Sequence, residues 1–149
     1  MAQKKTAARA KTAMTAPAGR RIVALLCENS AWKAYGDALS GGSAGARELS
    51  PLDAVKIPCT GKVEVGLILT MLERGSAGVL VVGCPKNNCT YIRGNYRAEK
   101  RINAAKAALR DAGMDENIVR LEFLSSLDSH KLLDIVRGFK GYIDDHSRS

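Results

Sequence analysis

The chain has 149 residues, of which 46% are hydrophobic and 26% are charged, and its formal net charge is +8. This length and composition are those of one water-soluble domain with a core of its own. No apolar run approaches the roughly 18 residues of a membrane span, and no signal-peptide-like apolar segment follows the charged start, so we expect an intracellular, cytoplasmic protein.

The positive charge is concentrated at the start of the chain. Residues 1–21 contain six basic side chains and no acidic one, whereas the remaining 128 residues carry 17 basic and 15 acidic side chains. We therefore predict a basic tail over residues 1–20, disordered or in contact with a partner, and one folded domain over residues 21–149. A basic tail can also bind nucleic acid, but the nearly balanced domain does not favour that function.

Short apolar runs that alternate with helical patterns predict the secondary structure. In chain order, the pattern predicts a strand at 21–26, a helix at 31–39, a strand at 54–58, a helix at 64–74, a strand at 78–82, a helix at 95–112, a strand at 119–124 and a helix at 128–143. The Gly- and Ser-rich segment 40–45 reads as a flexible break, and 46–53 as irregular chain. The inner face of the third helix is expected to carry Ile102, Ala105, Leu109 and Ala112.

Strands and helices that alternate in this way define the expected fold class. The order predicts an α/β fold, a single flavodoxin-like or Rossmann-like domain with about four parallel strands and helices on both faces. The run 78–82 is apolar at nearly every position, which is typical of a strand buried on both faces and places it centrally in the sheet.

Three of the four cysteines stand where predicted strands end. Cys27 follows the first strand, Cys59 the second and Cys84 the third, and Cys89 lies five residues beyond Cys84. Because the carboxyl ends of parallel strands meet at one edge of a sheet, we expect these thiols to converge there. Thiolate is a ligand that suits zinc, copper(I) and iron–sulfur clusters, so the pattern indicates a metal centre.

The cysteine spacing favours an iron–sulfur cluster over the alternatives. Structural zinc with four cysteines usually binds two C-x₂₋₄-C pairs, and here only Cys84 and Cys89 form such a pair. Cysteines from separate loops can hold a cluster. A zinc-stabilised protein-interaction module stays an alternative, as does a dithiol redox enzyme that uses Cys84 and Cys89.

Several other side chains follow the cysteines in the sequence. Lys86 and Arg93 share the loop with Cys84 and Cys89, and their positive charge would suit a negatively charged centre. Arg97, Lys100 and Arg101 come next and read equally well as the solvent-facing side of a helix. Aromatic residues at 32, 35, 91 and 96 would cover the site, dock a partner or simply pack, and the two histidines, His130 and His146, read as surface residues.

The segment 78–101, GVLVVGCPKNNCTYIRGNYRAEKR, contains a Gly-Cys-x₄-Cys-x-Tyr-x-x-Gly-Asn core followed by a basic helix. Together with Cys27 after the first strand and Pro58-Cys59-Thr60-Gly61 after the second, this core resembles the delta-type iron–sulfur subunit of methyl-viologen-reducing hydrogenase. The stretch 119–125, VRLEFLS, is also similar to that family, and the resemblance covers roughly residues 21–143.

The resemblance implies a function as well as a fold. It implies one [2Fe–2S] cluster held by Cys27, Cys59, Cys84 and Cys89. It implies a non-catalytic relay of electrons between a flavoprotein similar to heterodisulfide reductase A and a second redox subunit, which would be a hydrogenase, a formate dehydrogenase or another reductase such as a benzoyl-CoA reductase complex. Many relatives carry a second cysteine in the first loop, where this chain has Ser30, so no spare thiol is present.

Overall fold

The computed structural model describes residues 21–85, 89 and 93–147, and in them four parallel strands and five helices alternate along the chain. The strands are β1 (Ile22–Cys27), β2 (Leu52–Ile57), β3 (Gly78–Gly83) and β4 (Val119–Phe123). The helices are α1 (Ala31–Ser40), α2 (Ser43–Leu49), α3 (Val65–Glu73), α4 (Gly94–Asp111) and α5 (Ser129–Ser147), with single 3₁₀ turns at Thr60–Lys62 and Glu116–Ile118. The predicted α/β fold is confirmed, whereas the predicted tail, residues 1–20, lies outside the described residues.

The strand order in the sheet is β2-β1-β3-β4, with every pair parallel. The register pairs Ile22 of β1 with Leu52 on one side and with Gly78 on the other. The chain therefore moves from β1 outward to β2 and then returns to the other side of β1. In open α/β sheets, such a reversal between neighbouring strands opens a crevice at their carboxyl ends, where ligands bind.

Two apolar layers cover the two faces of the sheet. Side chains alternate in direction along a strand, so Leu80 and Val82 of β3 pack in one layer while Val79 and Val81 pack in the other. Helices α1, α2 and α5 supply the first layer, and α3 and α4 supply the second. All six residues of β3 are buried, which confirms its predicted central position.

Helix α2 occupies part of the segment predicted to be a flexible break and irregular chain, and that prediction is wrong. Gly45 is the reason for the close packing, because a Cβ atom there would lie 2.1 Å from the carbonyl oxygen of Ala38 in α1. Glu48 of α2 accepts two 2.8 Å hydrogen bonds from Arg137 of α5, and Leu49 is buried. Tertiary contacts thus stabilise a helix whose composition indicates a break.

Three smaller predictions are also corrected by one to a few residues. Strand β2 begins at Leu52 rather than at 54, and its Asp53 is hydrogen-bonded to Arg21. Strand β1 includes Cys27 as its last residue. Ala112 follows the end of α4 and is exposed, whereas Ile102, Ala105 and Leu109 are buried as predicted.

Candidate metal centre

The sheet brings the cysteines to its carboxyl edge. Cys27 ends β1, Cys84 directly follows β3, and Cys59 stands two residues after the end of β2. These three are buried, and Cys89 is half-buried. The strand order places β1 beside both β2 and β3, so the thiols at their ends are neighbours although they are up to 57 residues apart in the chain.

The sulfur atoms form two close pairs. Cys27 Sγ lies 3.6 Å from Cys84 Sγ, and Cys59 Sγ lies 4.0 Å from Cys89 Sγ. Two sulfurs bound tetrahedrally to one metal through bonds of ~2.3 Å would be about 3.8 Å apart, so both separations suit a shared metal. Cys84 also contributes electrostatically to raising the pKa of Cys59.

The thiols are paired rather than gathered around one point. Across residues 21–85, 89 and 93–147, no three His, Cys, Asp or Glu side chains are grouped so that they could hold a single metal ion. All four cysteines are thiols rather than halves of disulfides. Their expected convergence at the sheet edge is therefore present as two pairs, while their role as metal ligands stays a prediction.

Burial raises the pKa of two of these thiols, Cys27 and Cys59. The pKa of Cys27 is raised to about 11, chiefly by desolvation and further by Cys84, although the backbone amide of Asn29 and the hydroxyl of Ser30 oppose the change. Desolvation and the neighbouring Cys89 likewise raise the pKa of Cys59, against the effect of a 3.4 Å hydrogen bond from the Gly61 amide. A metal that binds these thiols as thiolates must therefore displace their protons.

The second sulfur pair fits against the start of α4. A Cβ atom at Gly94 would lie 2.1 Å from Cys59 Sγ and 3.1 Å from Cys89 Sγ, so only glycine leaves room for both sulfurs. A Cβ at Gly61 would lie 2.8 Å from the Cα of Gly94, so the turn after Cys59 and the first residue of α4 are in direct backbone contact. The two glycines therefore allow this pair of thiols to lie close to the backbone.

Two side chains that sequence reasoning missed or underrated fix the loops that carry the cysteines. The Asn95 side chain is fully buried, and its Nδ2 donates to the carbonyl oxygens of Cys84 at 3.4 Å and Pro85 at 3.1 Å. Arg101 Nη1 donates to the carbonyl oxygens of Gly61 at 2.7 Å and Val63 at 3.0 Å. The signal available in the sequence for Asn95 was the Gly-Asn pair at the start of a basic helix. A buried amide side chain needs hydrogen-bond partners for its polar atoms, and here the two carbonyl oxygens supply them.

The other predicted site residues are divided. Lys86 and Tyr91 lie outside the described residues, and Arg93 is exposed immediately before α4. Trp32 and Tyr35 stack with their ring centroids 5.5 Å apart and pack on the core, so they contribute to packing. Tyr96 is 40% exposed, and the surface positions predicted for His130 and His146 are confirmed.

The donor set fits a thiolate-bound metal group. Paired thiols at metal-binding separation, a glycine that leaves room for sulfur, and hydrogen-bonded loops are the features that such a group needs. Within the part of the chain that the structure describes, no helix is both long and apolar enough to cross a lipid bilayer. The fold and the site together define an α/β domain with four thiols at the carboxyl edge of its sheet.

Comparison with known families confirms the resemblance seen in the sequence. Residues 22–145 match the family described as methyl-viologen-reducing hydrogenase, delta subunit, and the chain belongs to that family. The match covers nearly the whole described domain, including all four cysteines.

Curated relatives agree with this assignment. The chain is 35% identical to the iron-sulfur subunit of the vhu F420-non-reducing hydrogenase of Methanopyrus kandleri over 116 residues, which are 78% of this chain and 86% of that protein. It is 32% identical to the iron-sulfur subunit of the F420-non-reducing hydrogenase of Archaeoglobus profundus, over 82% of this chain and 87% of that protein. It is also 30% identical to the ferredoxin/F420H2-dependent CoB-CoM heterodisulfide reductase A of Methanosarcina acetivorans, over 79% of this chain but only 14% of that protein.

Proposed function

We propose that this chain holds one [2Fe–2S] cluster on Cys27, Cys59, Cys84 and Cys89 and relays electrons within a hydrogenase or heterodisulfide reductase complex. The observation that carries the proposal is the pairing of the sulfurs, at 3.6 Å and 4.0 Å. A binuclear cluster with four cysteine ligands needs two thiolates on each of two irons. In this arrangement, Cys27 and Cys84 bind one iron, and Cys59 and Cys89 bind the other.

The names of the relatives support an iron–sulfur role and a complex. Two of them are named as iron-sulfur subunits of a hydrogenase. In the heterodisulfide reductase A relative, the matching region is about one seventh of a longer chain. A domain that occurs within such a protein in one organism is a natural neighbour of that protein when it is a separate chain. We therefore propose a flavoprotein similar to heterodisulfide reductase A as one partner, and the other partner is a second redox subunit.

In this proposal the cysteines bind the cluster and two neighbouring residues hold the loops that carry them. When bound, a [2Fe–2S] cluster accepts and releases one electron at a time. The four cysteines supply its thiolates, and burial limits the access of water to three of them. Asn95 and Arg101 hold the loops around Cys84 and Cys59, so the ligands keep their positions. In this proposal the protein itself makes and breaks no covalent bond of a substrate. The reduced state of the thiols suits the cytoplasm, where we place the protein.

Anaerobic reconstitution with iron and sulfide tests the cluster. The protein should become brown, contain two irons and two acid-labile sulfides per chain, and give a paramagnetic signal from one cluster after reduction by dithionite. A colourless protein that binds one zinc per chain with the four thiols protected from alkylation would refute the proposal in favour of a zinc-stabilised interaction module.

Single cysteine substitutions separate a cluster from a dithiol enzyme. Cys27→Ser should lower the iron content as strongly as Cys89→Ser, because each removes one of four ligands. The matched control, Ser30→Ala in the loop after Cys27, should keep both irons. If Cys27→Ser kept its iron and its redox activity while Cys84→Ser and Cys89→Ser lost activity, a dithiol enzyme would replace the cluster protein.

Electron transfer to the partner is a separate measurement. The reduced protein is mixed with a purified flavoprotein similar to heterodisulfide reductase A, and the loss of oxidised-flavin absorbance is followed. Flavin reduction that requires the iron-loaded protein supports the relay. A protein with a full cluster that reduces neither this flavoprotein nor a hydrogenase would retain its cofactor assignment and lose its assigned partners.

A further inference from the structure

A groove of about 490 Å³ opens beside the second sulfur pair. Cys59 and Gly94 form part of its wall, and its charged lining consists of Lys62, Glu64, Arg97 and Arg101. Because Cys59 is a wall residue, anything seated in the groove lies next to one of the proposed ligands.

The charge in the groove is mainly positive. Three cationic side chains face one carboxylate, and both Lys62 and Arg97 are exposed. Arg97 and Arg101 are four residues apart on α4, so their side chains lie on the same helix face. Gly94 is the first residue of this 18-residue helix, whose N-terminal end carries partial positive charge.

The position of Arg101 is fixed by the protein itself. Its Nη1 donates to the carbonyl oxygens of Gly61, within the turn that follows Cys59, and Val63, directly after that turn. The guanidinium therefore stands at a defined place on the groove wall, while Arg97, one turn earlier, reaches toward solvent. The groove wall therefore carries one cation held by hydrogen bonds, Arg101, and two solvent-exposed cations, Lys62 and Arg97.

The composition of the lining separates two kinds of occupant. Small-molecule pockets have comparable volumes, about 300–1,000 Å³, but are lined mostly by apolar and aromatic side chains. Here the side chains of the wall are mainly charged, and among the described residues Pro58 is its one apolar ring. Complementary charge that guides partners together is instead typical of protein docking surfaces.

We propose that this groove is the docking surface for an acidic segment of a protein partner, whose carboxylates seat against Lys62, Arg97 and Arg101. The part of the proposal that concerns electrons rests on the proposed function: docking here brings the partner's redox group to Cys59, so this side of the centre is where electrons enter or leave. The part that concerns charge does not depend on the cluster.

The charge recognition is tested first, on the full chain as purified, by NMR titration of the ¹⁵N-labelled protein with a hexaglutamate peptide. Amide shifts should concentrate at Lys62, Glu64 and Arg97, and because they are read residue by residue, binding to the basic segment 1–20 is seen separately. Arg97→Glu and Lys62→Glu should each weaken binding in the groove about tenfold at about 0.1 M ionic strength.

The matched control is Lys140→Glu, an exposed position on α5, which packs on the opposite face of the sheet. It makes the same change in net charge and should leave the hexaglutamate affinity within about twofold, since at about 0.1 M ionic strength charges beyond a Debye length of about 10 Å are screened. If Lys140→Glu weakened hexaglutamate binding as much as Arg97→Glu does, the effect would come from overall net charge and the proposal would be overturned. Saturation of the groove by inorganic phosphate at the same concentration would also overturn it, in favour of a small-anion site.

The electron-transfer side is tested with two small oxidants of opposite charge. The reduced protein gives one electron to stoichiometric hexacyanoferrate(III), an anion, or to hexaammineruthenium(III), a cation, and in each case the oxidant gains one electron with no bond made or broken. At about 0.1 M ionic strength, Arg97→Glu should slow the reaction with the anion on the order of tenfold and speed the reaction with the cation. Lys140→Glu should change neither rate more than about twofold.

The outcomes distinguish the two proposals. If the protein is colourless but still binds hexaglutamate in the groove, the proposed cluster is refuted and the proposed docking surface is supported. If the protein is brown and reducible but Arg97→Glu changes the rate with neither oxidant, the cluster is supported and the role of the groove in electron entry is refuted.

Discussion

Replacement of Gly94 by alanine should disrupt the second sulfur pair while leaving the fold in place. The added Cβ would lie 2.1 Å from Cys59 Sγ, whereas non-bonded heavy atoms prefer about 3.5–4.0 Å. Either the sulfur or the start of α4 must therefore move by roughly 1.5 Å. The same atom would lie 3.1 Å from Cys89 Sγ, so both sulfurs of the pair are crowded.

The cost to stability and the cost to metal binding should differ. Overpacking of this kind costs about 1–3 kcal/mol, and alanine recovers up to about 1 kcal/mol of helix propensity relative to glycine. The free energy of unfolding should thus fall by about 0–2 kcal/mol. A displaced ligand should lower metal affinity by at least the ~10–100-fold seen when the support of a metal ligand is removed.

The assay compares iron and acid-labile sulfide per chain after reconstitution with the midpoint of urea unfolding. Gly138→Ala is the control, because Gly138 lies within α5 and, apart from the adjacent backbone of that helix, no atom lies within 4 Å of an added Cβ. The control should be more stable than the parent by about 0.5–1 kcal/mol and should bind the same iron. If Gly94→Ala kept two irons per chain with an unchanged spectrum, the assignment of Cys59 and Cys89 as ligands beside Gly94 would be wrong.

Two further predictions concern the loop and the pH dependence of stability. Asn95→Ala leaves the carbonyls of Cys84 and Pro85 without their buried donor and should destabilise the protein by about 1–3 kcal/mol, measured by urea unfolding; Asn95→Asp, which also lacks the donor, should not restore it. Burial acts to raise the pKa of Asp115, but hydrogen bonds from Tyr142 and from a backbone amide, together with the nearby charge of a histidine, lower that pKa below its usual value. The ionised Asp115 therefore stabilises the fold above about pH 4, and this stabilisation is lost as the pH falls through the folded-state pKa. The hydrogen bond to Asp115 raises the pKa of Tyr142, so the stabilisation by the protonated Tyr142 is present below about pH 10 and is lost as the pH rises through the folded-state pKa. Tyr142→Phe should remove this loss of stability at alkaline pH, and a curve of stability against pH that the substitution leaves unchanged would refute the assignment.

The alternation of strands and helices was predictable because burial leaves a period in the sequence. The apolar positions of α4, Ile102, Ala105 and Leu109, recur at three- and four-residue spacing, and the helix buries them against the sheet. Helix α2 was not predictable, since the glycines and serines of the segment 40–45, in which it begins, indicate a break. Its stability comes from Gly45 packing closely on α1 and from the hydrogen bonds between Arg137 and Glu48, which are contacts between distant segments.

The support of the site was likewise hidden from the sequence. The buried amide of Asn95 and the carbonyl contacts of Arg101 both lie on a helix whose many basic residues are typical of a solvent-exposed surface. A helix face that is polar by composition is assigned to solvent by periodicity alone. Only the packing of α4 against the loop after β3 and the turn after Cys59 shows that Asn95 and Arg101 donate to backbone carbonyls.

By itself the sequence determined the α/β class and the placement of three cysteines at strand ends, because both follow from local periodicity and from the rule that parallel strands present their carboxyl ends together. Which thiol faces which was decided by the tertiary structure. The strand order β2-β1-β3-β4 sets Cys27 against Cys84, and the backbone contact between Gly61 and Gly94 sets Cys59 against Cys89. Pairing of this kind depends on which strands are neighbours and on how closely two backbones approach, and neither quantity is encoded in a local pattern.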